Sequence, residues 1–384
     1  MKILWMNPSF LDYRIPVYER LNELSSKNFY ILFSKRRCKS HIPINTKKVL
    51  GDHAICFEYD RVYNIGINHT MSNKHIDIPI TRGLYKEVEK INPDIIIAEG
   101  FFQWTPIALR YCLKHKKPLM IAYERTKRTE RNCPRWRTLY RKIVDRYTKG
   151  YLANGILTKQ YLEEVIKVDP SKIYIGGMSA DSKGLVDGLK NFKDKESFKR
   201  SLNIGSGITY LYVGRLIELK GVNYLLDAWR KHIENHAEDK LLIIGGGEKL
   251  KEYASKYNDL GSIYFSGAIN YSDIYKYYAV ADVFVIPTLE DNWSLVVPEA
   301  MACGLPIACS IYNGCYPELV REGINGKLFD PLKKETIIDA LEYFHSVNLK
   351  SFGEKSKEIE KEYNYLRVSE RIYKAVEEVY NSSI

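Results

Sequence analysis

Short, almost wholly apolar runs, each closed by a turn residue and followed by a longer amphipathic stretch, recur along this chain of 384 residues. A strand buried on both faces reads as a continuous apolar run, and parallel neighbours need a crossover that is usually helical. The alternation therefore predicts an α/β protein built on doubly wound parallel sheets. Strands are predicted at 2–6, 29–33, 55–59, 94–98, 118–122 and 150–153, and helices at 15–25, 82–92, 106–115, 136–149 and 158–167. Asn92-Pro93-Asp94 illustrates the pattern: a proline stop ends a helix and Ile-Ile-Ile-Ala follows as a strand. After a break the pattern restarts, with strands at 209–213, 240–244, 263–265, 283–286 and 306–309.

One hydrophobic core stops growing near about 250–300 residues, so a chain of this length calls for two domains. The break, residues 176–184, is small and polar, as linkers are. The expected division is a Rossmann-like domain over 1–180 and a second over 181–364. Leu366, Val368, Ile372, Ala375, Val376 and Val379 give residues 365–380 helical periodicity. That last segment, about 365–384, is expected to cross back and pack on the first domain. Charge changes at the same break: Lys and Arg exceed Asp and Glu by 15 in residues 1–180 and fall 4 short of them in 181–384. The basic excess is densest between Arg110 and Lys149, where only Glu124, Glu130 and Asp145 oppose it. Such a block attracts phosphorylated substrates, nucleic acid or an anionic membrane leaflet, unless it is simply a solvated helical face.

Composition removes several classes. A mean hydropathy of −0.32 and the lack of any apolar run near the ~18 residues of a membrane span argue against a membrane bundle. Pro8 interrupts the apolar start too early for a signal-peptide core, so a cytoplasmic location is expected. The seven cysteines include no C-x-x-C pair, and Cys303, Cys309 and Cys315 recur every six residues by chance, in a helix start, a strand and a loop. His41, His53, His69, His75 and His115 form no paired pattern and are expected to be structural or exposed.

Open parallel sheets place ligands beyond the carboxyl ends of their strands, and an active site in a cleft between two such domains is expected. Three clusters fall just after predicted strands. In Val213-Gly214-Arg215-Leu216-Ile217-Glu218-Leu219-Lys220-Gly221 a glycine lets backbone approach an anion, Arg215 can fork onto two phosphate oxygens and Lys220 adds a point charge. A diphosphate fits this loop, and so does a plain strand-to-helix turn with exposed basic residues. Gly245-Gly246-Gly247 can bring backbone against a ribose or phosphate, or merely close a turn. The third cluster runs from Pro287 to Pro306. It places Glu290 and Asp291 in a loop, with Ser294 to Pro298 opening a helix whose free N–H groups suit diphosphate oxygens. Asp291 and Glu299 lie eight apart, one before the helix and the other about two turns away. Carboxylates beside phosphate are unfavourable unless hydroxyls donate to them, and sugar hydroxyls are the natural donors.

Here the chain resembles the retaining glycosyltransferases of the GT-B fold, the large group often called family four. Their E-G-F-G-L-x-x-x-E-A-M-A-x-G-x-P-V is similar to Asp291-Asn292-Trp293-Ser294-Leu295-Val296-Val297-Pro298-Glu299-Ala300-Met301-Ala302-Cys303-Gly304-Leu305-Pro306-Ile307. Their G-R-L-x-x-x-K-G matches Gly214 to Gly221, their G-x-G-x resembles Gly245 to Glu248, and their G-x-x-G-x-L-x-x-P resembles Gly323 to Pro331. The likeness covers most of 207–335. It implies that Arg215 and Lys220 hold a donor diphosphate and Glu299 the ribose hydroxyls. Asp291 and the backbone from Ser294 through Leu295 to Val296 would take the transferred sugar and its phosphate, and Phe265 to Ile269, Ala268 included, would meet the base. Asp291 stands where the family has Glu, with Glu290 as a substitute, and Asn292-Trp293-Ser294 replaces Gly-Phe-Gly. In the first half the likeness is looser. Asp12, Tyr13 and Arg14 lie in a loop similar to the Y-R-x-P turn of some members, and Glu99 holds the strand-end position where many have His. Both are expected at the acceptor; a Glu at that strand end can equally cap the turn at the surface.

The expected reaction moves a hexose-type sugar, with retention, from a UDP or GDP sugar to a hydroxyl of a saccharide or lipid-linked saccharide acceptor in surface polysaccharide assembly. Asp291, Glu299 and Glu99 are the expected catalytic residues. No D-x-D motif occurs, so no metal and no cofactor are expected beyond the nucleotide sugar. The domains are expected to close about 176–184 to exclude water. The basic first domain is expected to meet an anionic membrane surface peripherally, and no nucleic acid, since few aromatics interleave with the block. The competing readings are a nucleotide-sugar 2-epimerase-like GT-B enzyme and a non-catalytic nucleotide- or polyanion-binding module.

Overall fold

The computed structural model describes residues 1–65, 76–176 and 178–383; His69, His75 and Gly177 of the break lie outside them. The chain forms two compact units, one of Met1–Ser179 with Asn364–Ile384 and one of Ala180–Tyr363. Among the described residues no helix is long and apolar enough to cross a membrane.

The first unit contains β1 (Ile3–Met6), β2 (Phe29–Ser34), β3 (Ala54–Phe57), β4 (Asp60–Ile65), β5 (Ile76–Thr81), β6 (Ile95–Glu99), β7 (Leu119–Tyr123), β8 (Gly150–Ala153) and β9 (Ile173–Ile175). Seven of them make a parallel sheet in the order β3-β2-β1-β6-β7-β8-β9. Side chains alternate across a strand, so Ile3 and Trp5 of β1 face one layer and Leu4 and Met6 the other. The first layer holds Val17 and Leu21 of the helix Ile15–Leu24, with Val368, Ile372, Val376 and Val379 of the helix Tyr365–Asn381. Val88 of Leu84–Ile91 and Ala108 of Thr105–His115 fill the second. Each fully buried aliphatic chain is worth about 1.5–3 kcal/mol, so burial on both faces explains why these strands read as unbroken apolar runs.

The second unit contains β10 (Thr209–Val213), β11 (Lys240–Ile244), β12 (Ile263–Gly267), β13 (Val283–Ile286), β14 (Ile307–Ser310) and β15 (Gly326–Phe329), parallel in the order β12-β11-β10-β13-β14-β15. This is the doubly wound order in which chain direction across the sheet reverses between the first and fourth strands. Carboxylates pin the strand starts: buried Asp239 accepts from the Ile208 amide at 2.8 Å and Asp282 from the Thr209 amide at 2.9 Å.

Several elements were not legible in the pattern. The antiparallel pair β4/β5 leaves Tyr63, Ile78 and Ile80 exposed; Ile76-Asp77-Ile78-Pro79-Ile80-Thr81 does alternate, but Pro79 within it argues against a strand. β9 and β15 are edge strands of three and four residues. The helix His41–Leu50 carries Pro43 within its first turn, which masks it. The helix expected at 158–167 runs from Ile156 to Tyr161 and continues as a π-helical turn, Leu162–Ile166. Cys303 ends the helix Val296–Ala302 rather than starting one.

Candidate functional site

In the second unit the switch point lies between β10 and β13, and the loops leaving those two strands are the first and third sequence clusters. Gly221 lets them meet: its φ is +65°, and a Cβ there would lie 2.2 Å from the Pro287 carbonyl oxygen. The Leu289 amide donates to the Leu219 carbonyl at 2.9 Å and the Thr288 hydroxyl to the same oxygen at 3.1 Å, tying the loops together. Lys220 is thereby set against Asp291, whose Oδ2 pairs with the Lys220 ammonium and accepts from the Ser294 hydroxyl at 2.7 Å. Asp291 Oδ1 accepts from the Trp293 amide at 3.1 Å. Asn313, fully buried after β14, braces this loop by accepting from the Ser294 amide at 3.4 Å, and the Gly314 amide donates to the Asp291 carbonyl at 2.9 Å.

Around this centre Arg215 is exposed, with its carbonyl accepting from the Tyr212 hydroxyl at 3.0 Å. Gly245 has φ +144°, and a Cβ would stand 1.9 Å from the Gly214 carbonyl oxygen, so only glycine allows the second cluster to lie on the first. The Leu216 amide donates to the Gly246 carbonyl at 2.8 Å, and Ala268 is exposed beside Gly246, with Ile269 half-buried next to it. The glycine triplet therefore serves both to close the turn and to draw three strand-end loops together.

Glu299 sits in the first turn of the seven-residue helix Val296–Ala302, not two turns away as the spacing suggested. Leu295 is its N-cap. The Glu299 carboxyl is buried and accepts from the Tyr271 hydroxyl at 2.9 Å and the Tyr278 hydroxyl at 3.3 Å. Burial pushes its pKa up to about 7, partly offset by the two tyrosines and reinforced by Asp181. Of the two adjacent acids, Asp291 faces Lys220 while Glu290 is buried at 1% exposure. Trp293 also departs from its expected place at the donor: it is buried, with its ring 6.5 Å from Tyr363. Asn292 is half-buried beside it, and its carbonyl crowds Gly314.

The first unit has its own crevice at the corresponding switch point, between β1 and β6. A cavity of about 400 Å³ opens there beyond the carboxyl ends of β1, β6, β7 and β8, with Tyr13, Arg14, Glu99, Arg125, Arg137 and Asn154 in its wall. Glu99 is no surface cap: it accepts from the Trp5 indole at 3.1 Å and pairs with the buried Arg14 at 3.4 Å. Burial raises the Glu99 pKa and Glu124 adds to this, against the pull of Arg14 and the Trp5 hydrogen bond. Arg141 is committed to structure, pairing with buried Glu130 at 2.8 Å and donating to the Tyr161 hydroxyl at 2.6 Å. Asp12 does not line the cavity; it is exposed and its Oδ2 lies 2.8 Å from His41 Nε2. Tyr271, Tyr278 and Asn313 were missed in the sequence, where nothing local distinguishes them.

Two doubly wound units, each with strand-end loops gathered at its switch point, define the GT-B class of fold. Anabaena HepE in complex with UDP superimposes with a TM-score of 0.74 at 14% identity, covering 98% of this chain and all of that one. Residues 194–362, which lie in the second unit, match the family described as glycosyl transferases group 1. An uncharacterized glycosyltransferase of Methanocaldococcus jannaschii is 32% identical over 151 residues, 38% of each chain. The lipopolysaccharide 1,2-N-acetylglucosaminetransferase of Salmonella typhimurium is 29% identical over 159 residues, 38% of this chain and 41% of that protein. The chain spans less than half the length of these two curated relatives.

Proposed function

We propose that the chain is a retaining glycosyltransferase that moves a hexose-type sugar from a UDP sugar to a hydroxyl of a saccharide or lipid-linked saccharide in surface polysaccharide assembly. The observation that carries this reading is the Lys220–Asp291–Ser294 cluster at the β10/β13 switch point, with the buried Glu299 and its tyrosines behind it. Arg215 and Lys220 take the diphosphate and neutralise the charge that grows on it as the sugar departs. Asp291 and Ser294 turn from Lys220 and each other to the hydroxyls of the sugar. Glu299 accepts from the ribose, and the base lies along Ala268 and Ile269. These cations do the work that a D-x-D metal site does elsewhere, so transfer proceeds without metal. In the first unit Glu99 accepts the proton of the attacking hydroxyl, a role its raised pKa supports. The UDP bound in HepE supports the choice of base, and the Salmonella relative supports the pathway.

A lipid-linked acceptor at the anionic membrane face has its own support. The helix Arg135–Asp145 puts Arg137 in the cavity wall, while Trp136, Leu139 and Ile143, followed by Tyr147, form an exposed apolar stripe flanked by exposed Arg135, Arg146 and Lys149.

The test is calorimetry with UDP, GDP, ADP and their sugars in metal-free buffer, with Lys220→Ala as control. Micromolar UDP binding that the control loses is expected, and the anomeric configuration of the product, read by NMR, should match the donor. Binding of no nucleotide, or equal binding by the control, overturns the reading.

A further inference from the structure

At the opposite, amino-terminal edge of the second unit's sheet, five side chains from distant parts of the sequence converge: His232, His236, Asp239, Glu342 and His345. None belongs to the donor loops, so the cluster is independent of the proposed activity. His232 ends the helix Val222–His232 and is fully buried. Its Nε2 lies 2.9 Å from Asp239 Oδ2, and the same oxygen is 2.8 Å from His345 Nε2. A carboxylate only accepts, so both Nε2 atoms carry a proton, and in a neutral His232 ring the Nδ1 is a lone pair. Among the described residues that buried Nδ1 has no hydrogen-bond partner. His236 stands four residues on, after the turn that follows the helix, and its amide donates to the His232 carbonyl at 3.2 Å. Its ring stacks on His232 at 4.7 Å and on His345 at 3.8 Å.

We propose that His232, His236 and Glu342 form a binding site for a divalent transition-metal ion such as Zn²⁺, with Asp239 as the carboxylate that orients His232. Ligand atoms of the three residues lie within 4.8 Å of one another, and tetrahedral coordination with bonds near 2.1 Å requires about 3.4 Å, so binding turns the His236 ring out of its stack towards the ion. His232 ends its helix and His236 lies just after the turn that follows, so both imidazoles come from one local segment. A ligating histidine ordinarily donates its other N–H to a carboxylate, as His232 does to Asp239. The alternative trio of His232, Asp239 and His345 is as close, but ligation there breaks both hydrogen bonds that Asp239 accepts. An N₂O set with a remaining solvent position selects zinc, cobalt or nickel over magnesium or calcium. His345, 28% exposed in its side chain, leaves the cluster open to solvent for entry of the ion. The site lies away from the donor loops and takes no part in transfer, so it stands beside the expectation that transfer needs no metal.

The test uses the full chain, stripped with a chelator and titrated calorimetrically with Zn²⁺ and then Co²⁺, alongside His236→Ala and Glu342→Gln. Wild type is expected to bind one equivalent, with a rise in Tm, and each variant to bind about tenfold or more weakly with no rise. The cobalt spectrum is expected to lack a thiolate charge-transfer band, which separates this site from the seven free cysteines. Circular dichroism checks that the variants are folded. Absence of binding, unchanged affinity in folded His236→Ala, or a thiolate band overturns the proposal.

Discussion

Lys220 and Asp291 are partners that must also part. A diphosphate competes with Asp291 for the Lys220 ammonium, and the sugar then needs the carboxylate so released. Asp291→Ala is therefore expected to bind free UDP as tightly as wild type or more so, while transfer falls by about a hundredfold or more; calorimetry beside a coupled rate assay separates the two. Glu299 gives a prediction in pH. Its folded pKa of about 7 stands above the ordinary 4.5, so the protonated carboxyl is the favoured native form. The stability this confers is complete below about pH 4.5 and is lost as pH rises through 7. Glu299→Gln should remove that decline and be more stable at pH 8 by up to about 3 kcal/mol, read from denaturant unfolding at several pH values. Ribose hydroxyls donate to the ionised form, so UDP affinity should rise with pH through about 7 in wild type and stay flat in the variant. Lys220, Asp291 and Glu299 were legible because each lies at a fixed offset from a strand end. Their supports were not: Tyr271 and Tyr278 are two of 30 tyrosines, and only the folded chain brings them to Glu299. The same holds for the histidine cluster, where His232 and His236 are near in sequence but Glu342 and His345 arrive from another helix and the turn after it.

Among the elements, the helix Arg135–Asp145 has two working faces. Val144 and Arg141 are buried while Leu139 is 62% exposed and Ile143 46% exposed. Large apolar groups left outside a core and ringed by cations suit the boundary of an anionic bilayer. Co-sedimentation with phosphatidylglycerol-containing vesicles should be salt-sensitive, and Leu139→Glu with Ile143→Glu should abolish it without lowering Tm, because neither side chain is part of the packing. The strands β1, β6 and β13, closed on both faces, declare themselves as apolar runs, whereas the alternation of β5 is interrupted by Pro79 and leaves Ile78 and Ile80 exposed. The charge count located the basic block but not its division, since Arg141 turns inward to Glu130 while Arg146 and Lys149 face out.

At the scale of the molecule, each unit has its own sheet and core, and the second is continuous in sequence. A fragment of residues 180–363 is expected to fold alone and bind UDP within about threefold of the full chain, as calorimetry would show; failure to fold would mean that its core is incomplete. Residues 1–179 alone lack Val368, Ile372, Val376 and Val379 and should expose the layer those residues cover. This arrangement carries a consequence for biosynthesis. On the ribosome the opening 179 residues emerge without their closing helix and must wait while Ala180–Tyr363 is made. At about 5–20 residues per second the wait lasts about ten to forty seconds. The segment synthesised first is thus the later to mature, and its uncovered flank is a natural client for chaperones until the last helix arrives.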